Sequence, residues 1–453
     1  MHPYDIEHGA PSRASQGGVE DATRLLASLF RNFEGSIAFR LWNGDRVQLG
    51  KAADRQAMPR FLLVCRSPQV VRELVLSRDP LRLAEAYFRG DVEVEGDFFS
   101  AVAIKDQLRS LRLSARDLPG ALLAAVRLRT WAAHDASPAA GLPRGNHVRS
   151  HSRNENRDAI AFHYDVSNDF YALWLDRAMV YSCAYFEHAD DTIDQAQQAK
   201  LDHICAKLML RPGESLLDIG CGWGALIMHA ARHYGVRAHG ITLSRRQLEL
   251  ASRRILEAGL QDQVTIELRD YRDLAGECIY DKIASVGMFE HIGLNNLPVY
   301  FSTVHRLLKP SGLFLNHGIT HDVEGWEPTL STEFINRYVF PDGQLDSIGN
   351  IQRRMERARF EIADVEALRP HYALTLRHWV ARLEQRRAEA LQHVSEATYR
   401  VWRLYMAACA LEFESGELGV YQVLASKRAG VPAALPMTRR HLYERAASRE
   451  RPA

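Results

Sequence analysis

Between residues 208 and 319 short apolar runs alternate with amphipathic stretches, separated by brief glycine-containing turns. The apolar runs predict strands over 214–219, 236–241, 264–268, 279–286 and 312–319, and the periodic stretches between them predict helices over 224–233, 247–258 and 299–308. Strands and helices alternating over short connections make a doubly wound α/β sheet. Downstream, residues 347–416 read as mainly helical with a strand near 360–365, and residues 420–426 as a final edge strand.

Upstream, the run from Gly90 to Gly96 sets Val92 and Val94 against Asp91, Glu93 and Glu95, the alternation of a half-buried strand. It lies within residues 19–132, a mixture of short helical and strand-like pieces that reads as a smaller N-terminal domain. Residues 1–18 read as a flexible N-terminus. Residues 133–157 are polar, without hydrophobic periodicity, and read as a linker to a second domain over 158–430, followed by a basic tail over 431–453.

The length of 453 residues suits two such domains. With 46% hydrophobic and 25% charged residues the composition excludes a disordered chain. A formal charge of +1 offers no general attraction to polyanions, and no base-reading or zinc module is evident, so no nucleic acid partner is expected. Local charge differs: residues 101–150 hold eight basic and three acidic side chains, and residues 108–131 interleave leucine with arginine on a helix expected to break near Pro119. Such a face suits either domain packing or an anionic membrane surface. The six cysteines show no CxxC pairing, which predicts neither a metal site nor a disulfide framework and points to a reducing compartment. Without a signal-like or membrane-spanning run, the expected location is cytoplasmic, with any membrane contact peripheral.

Chemistry enters at Leu217-Asp218-Ile219-Gly220-Cys221-Gly222-Trp223-Gly224, a strand running directly into three glycines at spacing two. Gly220 and Gly222 let the backbone approach a ligand, and the following helix start presents amide dipoles. The third glycine comes one position too early for the GxGxxG hydride-cofactor fingerprint. The loop closely resembles the DxGxGxG turn of class I S-adenosylmethionine-dependent methyltransferases, which implies S-adenosyl-L-methionine as co-substrate. No acid follows the second strand where most such enzymes hold the ribose, so Thr242, Leu243 and Gln247 would supply those contacts. Beyond the third strand, Asp270, Tyr271 and Arg272 would meet the adenine.

The flanking strings narrow the substrate. His163-Tyr164-Asp165-Val166-Ser167-Asn168, Tyr181-Ser182-Cys183-Ala184-Tyr185-Phe186, Gln197-Gln198-Ala199-Lys200 and Gly287-Met288-Phe289-Glu290-His291 resemble the cyclopropane-fatty-acyl-phospholipid synthase and mycolic acid cyclopropane synthase family over about residues 155–430. Residues 20–125 look like the extra N-terminal domain of the phospholipid synthases, here expected to serve lipid docking or assembly. The resemblance implies a class I methyltransferase Rossmann-like seven-stranded sheet with helical lipid-binding insertions, acting on an unsaturated phospholipid at the inner face of the cell membrane; a homodimer is expected. It implies attack of a cis alkene on the sulfonium methyl, a carbocation, and deprotonation assisted by bound bicarbonate. The matching positions are His317, Ile319 and Tyr372 as anion ligands, Cys183 through its backbone amide, and Glu290 orienting the anion or relaying its proton. Tyr164, Tyr181 and Ser182 would contact the methionine end of the cofactor. Apolar residues between 334 and 411, among them Trp379, Leu383, Trp402 and Met406, are sufficient to line a lipid channel.

Three alternatives stay open on the residues alone. The cation could resolve to a methylene-branched chain, reducible by a partner to a methyl branch. Cys183 could be a thiolate paired with His317. The fold could also serve a noncatalytic lipid-binding protein, against which the intact glycine turn argues.

Overall fold

A computed structural model describes residues 13–51, 59–77, 79–111, 116–132, 166–323, 330–339, 343–428, 430 and 435–443. The chain divides into one unit of residues 1–143 with 395–408 and a second of residues 144–394 with 409–453. The expected linker at 133–157 lies outside the described residues.

In the first unit β1 (Ile37–Arg40), β2 (Arg46–Leu49), β3 (Phe61–Cys65) and β4 (Val92–Gly96) form a sheet in the order β2-β1-β3-β4. β3 buries Phe61, Leu63 and Cys65 and turns Leu62 and Val64 partly outward, the period-two pattern of a strand with one packed face. β4 buries Val92 and exposes Glu95. Arg400, on the helix Glu396–Ser415, pairs with Glu93, and its Nη1 donates to the carbonyl of Tyr87 at 2.9 Å.

The Leu/Arg segment differs from expectation in one respect. Pro119 does not break a helix but sits in the first turn of Leu118–Ala132, where its missing N–H costs nothing. This helix packs Ala121, Ala124, Ala125 and Leu128 inward against the helices Arg13–Leu29 and Pro68–Ser77. Leu118, Leu122, Leu123 and Val126 stay exposed, Val126 at 62%.

The second unit holds β5 (Ser215–Ile219), β6 (Arg237–Thr242), β7 (Val264–Leu268), β8 (Tyr280–Val286), β9 (Leu308–His321), β10 (Phe360–Ala367) and β11 (Leu418–Lys427), ordered β10-β11-β9-β8-β5-β6-β7. β5 through β9 are parallel neighbours, while β11 runs antiparallel between β9 and β10. Residues 418–427 are therefore not the expected edge. β11 is buried over most of its length, whereas β10 exposes Glu361, Ala363 and Ala367, as expected of a sheet margin.

Leu216 and Leu217 follow each other on β5 and enter opposite cores, one beneath the helix Ala225–Tyr234 and the other beneath Leu297–Leu307. Burying each contributes about 1.5–3 kcal/mol. β5 lies between β6 and β8, which continue in opposite directions across the sheet, so a crevice opens at the carboxyl ends of these strands.

Candidate active site

β5 delivers Asp218 to that crevice and then turns through Gly220 at φ 84° and Gly222 at φ 55°. A side chain at Gly220 would be strained, and its Cβ would stand 3.0 Å from Met288 Cγ. The amides of Gly220 and Cys221 both donate to the carbonyl of Ile241 at 3.0 Å, which fixes the turn against β6.

One cavity collects almost the whole expected cofactor set. Tyr181, Ser182, Asp218, Gly220 and Gly222 line one part, and Thr242, Leu243, Gln247, Asp270 and Tyr271 line another. Thr242 Oγ1 donates to Gln247 Oε1 at 2.7 Å, which leaves the Gln247 amide nitrogen as a donor in place of the absent acid. Arg272 is the exception. It does not line the cavity but clamps Asp270, with Nε to Oδ1 at 2.8 Å and Nη2 to Oδ2 at 2.6 Å. A bidentate guanidinium pair of this kind orients the acid rather than reaching a ligand. Tyr164 lies outside the described residues.

Trp223, Met288, His291 and Lys200 also line the cavity, none of them in the expected set. Lys200 was legible only as part of a string. On the helix Ile193–Lys207 it lies one turn beyond Gln197, whose Nε2 donates to the carbonyl of Ser182 at 2.9 Å, while Lys200 Nζ donates to Ser182 Oγ at 2.9 Å. Burial lowers the Lys200 ammonium to about 8 and raises the Asp218 carboxyl to about 7.

The expected catalytic residues lie behind this wall, around the paired strands β9 and β11. Glu290 sits in a short 3-10 turn after β8, buried, and its Oε1 accepts from the Ile319 amide at 2.7 Å. The Ile319 amide has one proton and gives it here to Glu290, which ties the two expected site residues directly together. Glu290 Oε2 has no partner among the described residues, and burial pushes the carboxyl up to about 7. His317 pairs in register with Gln422, whose Nε2 lies 3.2 Å from His317 Nδ1, while Nε2 of His317 is buried without a partner among the described residues. Burial, with Lys200 and Lys207 nearby, holds this imidazole well below its ordinary range, so it is neutral at pH 7.

The backbone ties Cys183 and Tyr372 to the same place. The carbonyl of Leu368 accepts from Cys183 Sγ at 3.7 Å and from the Tyr372 amide at 3.1 Å, while the Leu368 amide donates to Val420, the register partner of Ile319. Cys183 is completely buried and its thiol pKa is pushed far up, which argues against a thiolate nucleophile. Tyr372 packs its ring on Phe413 at 4.7 Å and edge-on to Trp379 at 6.2 Å. Trp379 in turn meets Tyr181 at 5.3 Å, and Tyr171 joins Tyr181 to Trp223, so an aromatic wall runs from the cavity to Tyr372. Of the residues expected to line a lipid channel, Trp379 and Leu383 are buried in the second unit, and Trp402 and Met406 are buried in the first.

The family model for mycolic acid cyclopropane synthetase matches residues 151–423. The chain belongs to that family. It is thus an S-adenosylmethionine-dependent methyltransferase of class I fold. A probable fatty acid methyltransferase of Pseudomonas putida is 40% identical over 410 residues, covering 90% of this chain and 96% of that protein. The cyclopropane-fatty-acyl-phospholipid synthase of Escherichia coli K12 is 41% identical over 270 residues, 58% of this chain and 66% of its own. Among solved structures, the mycolic acid cyclopropane synthase CmaA1 complexed with SAH and CTAB aligns at a TM-score of 0.57 with 35% identity, covering 60% of this chain and 98% of that one. The likeness thus covers 90% of this chain for the probable fatty acid methyltransferase and 58% for the cyclopropane-fatty-acyl-phospholipid synthase.

Proposed function

We propose that this enzyme adds the methyl carbon of S-adenosylmethionine across a cis double bond of an unsaturated phospholipid acyl chain and closes a cyclopropane. The observation that carries the reading is the pair of buried atoms Glu290 Oε2 and His317 Nε2, without partners among the described residues and set on a turn and a strand joined by the Glu290–Ile319 bond. Buried polar atoms without partners are rare and call for a ligand.

The alkene carbon attacks the sulfonium methyl, the sulfur leaves with its bonding pair, and the neighbouring carbon becomes cationic. Ring closure then requires loss of one proton from the new methyl group. Bicarbonate bound at the pair would accept that proton. Neutral His317 donates Nε2–H to the anion, and Glu290, with a carboxyl near 7, shares or passes on a proton without a strongly nucleophilic atom facing the cation. The ring faces of Tyr181 and Trp379 supply electron density to positive charge. In the cofactor cavity Asp218, Gly220, Gly222, Thr242, Gln247, Asp270 and Tyr271 hold S-adenosylmethionine.

The lipid must reach this site from a membrane, and no described helix is long and apolar enough to cross one. The exposed Leu118, Leu122, Leu123 and Val126 beside Arg127 support peripheral docking at an anionic surface. Assembly as a homodimer belongs to the same proposal and is read by light scattering. A second reading, a methylene- or methyl-branched product, is supported by the likeness, over 90% of this chain, to a probable fatty acid methyltransferase. Incubation with S-adenosylmethionine and vesicles of cis-monounsaturated phosphatidylglycerol tests the proposal: each modified acyl chain gains the mass of one CH2 group, and no such gain across varied double-bond positions rejects it.

A further inference from the structure

Two lysines on the helix Ile193–Lys207 are equally buried, at 2% exposure, but differently satisfied. Lys207 meets Asp364 at 3.3 Å and Glu366 at 2.5 Å. Lys200 meets only the hydroxyl of Ser182 and forms no ion pair among the described residues. An ammonium taken out of water and left without a counter-ion is costly, and the cost is recovered when an anion binds beside it. Lys200 faces the cofactor cavity, as do its helix neighbours Leu201 and Ile204.

Asp218 stands in the same cavity wall with Oδ1 buried and without a hydrogen-bond partner among the described residues. The cavity therefore presents a cation that has no direct ion pair among the described residues, with the carboxylates of Asp176 and Asp218 acting on it from beyond contact distance, and one carboxylate with a vacant oxygen. The amino-acid end of S-adenosylmethionine is a zwitterion with the complementary charges, and the opposite placement would set like charges together. We propose that Lys200 anchors the carboxylate of the methionine end of the cofactor, opposite Asp218 on the ammonium, and so makes this site selective for cofactors that carry that carboxylate. The inference rests on the reading of this cavity as the cofactor site. A bound carbonate is the other anion at hand, but Glu290 and His317, which would hold it, lie outside the cavity lining that includes Lys200.

Calorimetric titration of the full-length protein with S-adenosylhomocysteine and with its decarboxylated analogue, which keeps the ammonium, thioether and adenosine, tests this. The wild type binds the decarboxylated ligand about ten- to hundredfold more weakly, the loss expected for a charge-assisted contact. Lys200→Met loses affinity for S-adenosylhomocysteine by a similar factor and hardly changes for the analogue, so discrimination collapses; Lys200→Arg retains most of it. A wild type that binds both ligands equally overturns the inference whether or not Lys200→Met folds. So does a Lys200→Met protein weakened equally toward both, or one that keeps full discrimination while its turnover changes its response to added bicarbonate. Failure of the wild type to bind S-adenosylhomocysteine at all would instead reject the cofactor site itself.

Discussion

Gln422 Nε2 lies 3.2 Å from His317 Nδ1 across the β11–β9 register, with both residues buried. An amide nitrogen only donates, so Nδ1 accepts and the neutral ring carries its proton on Nε2, the atom without a partner among the described residues. Gln422 thus acts as a positioning residue for His317. Gln422→Glu places an acceptor at Nδ1, reverses the tautomer and favours the charged ring. We expect kcat to fall roughly ten- to hundredfold, by analogy with other partners that orient a functional histidine, with cofactor affinity preserved and the pH–rate profile displaced. An unchanged profile with unchanged kcat would remove Gln422 from the account.

Glu290→Gln retains shape and removes the ionisable oxygen. Turnover should fall by about 10²–10⁴, the range for an acid–base group, while S-adenosylhomocysteine affinity stays within a few-fold. Stability moves the other way with pH. Burial raises the Glu290 carboxyl from 4.5 to about 7, so its stabilising contribution is complete below pH 4.5 and is lost as pH rises through 7. The variant does not suffer that loss, which is on the order of 3 kcal/mol. The difference in Tm, variant minus wild type, should therefore grow between pH 5 and pH 8 in thermal scans.

Gly318 on β9 lies directly against the Phe289 ring. A Cβ there would stand 1.9 Å from Phe289 Cε1, so Gly318→Ala must displace the turn that carries Glu290. Overpacking of this kind costs typically 1–3 kcal/mol. Activity should drop further than cofactor binding, because the glycine turn at Gly220 and Gly222 belongs to a different strand and, of the displaced turn, Met288 and His291 reach the cavity lining while Phe289 and Glu290 do not; equal losses of both would show that the two regions are not separable.

Leu122→Ser combined with Val126→Ser removes two exposed apolar side chains from the helix Leu118–Ala132. Sedimentation with anionic vesicles should weaken by at least about tenfold, and wild-type binding should fall with added salt. Undiminished binding of the double variant would place the membrane surface elsewhere.

The parallel core was legible because each strand carries its own local signal: the apolar run into Gly220, and Val264 to Leu268 between turns. The position of β11 was not, since strand order depends on partners far away in the chain, and only its buried outer face separates it from the edge strand β10. The same holds within the site. Asp218, Gly220 and Gly222 belong to one contiguous motif, whereas Gln422 and Lys200 are ordinary polar residues until the register with His317 and the bond to Ser182 give them a place. Arg272 could be read as a ligand contact because it adjoins Asp270; only the bidentate pair shows that it serves the acid.

Ring closure on an acyl alkene leaves its mark in the fate of the methyl hydrogens. The enzyme is incubated with methyl-deuterated S-adenosylmethionine and cis-monounsaturated phosphatidylglycerol vesicles, and the acyl chains are examined by mass spectrometry and NMR. The account predicts a cyclopropane that keeps two of the three deuterons, with the vinyl protons of the modified chain gone. A chain that keeps all three deuterons as a methyl branch beside a retained double bond, the chain having lost a proton instead, or one that carries an exocyclic methylene, would contradict it.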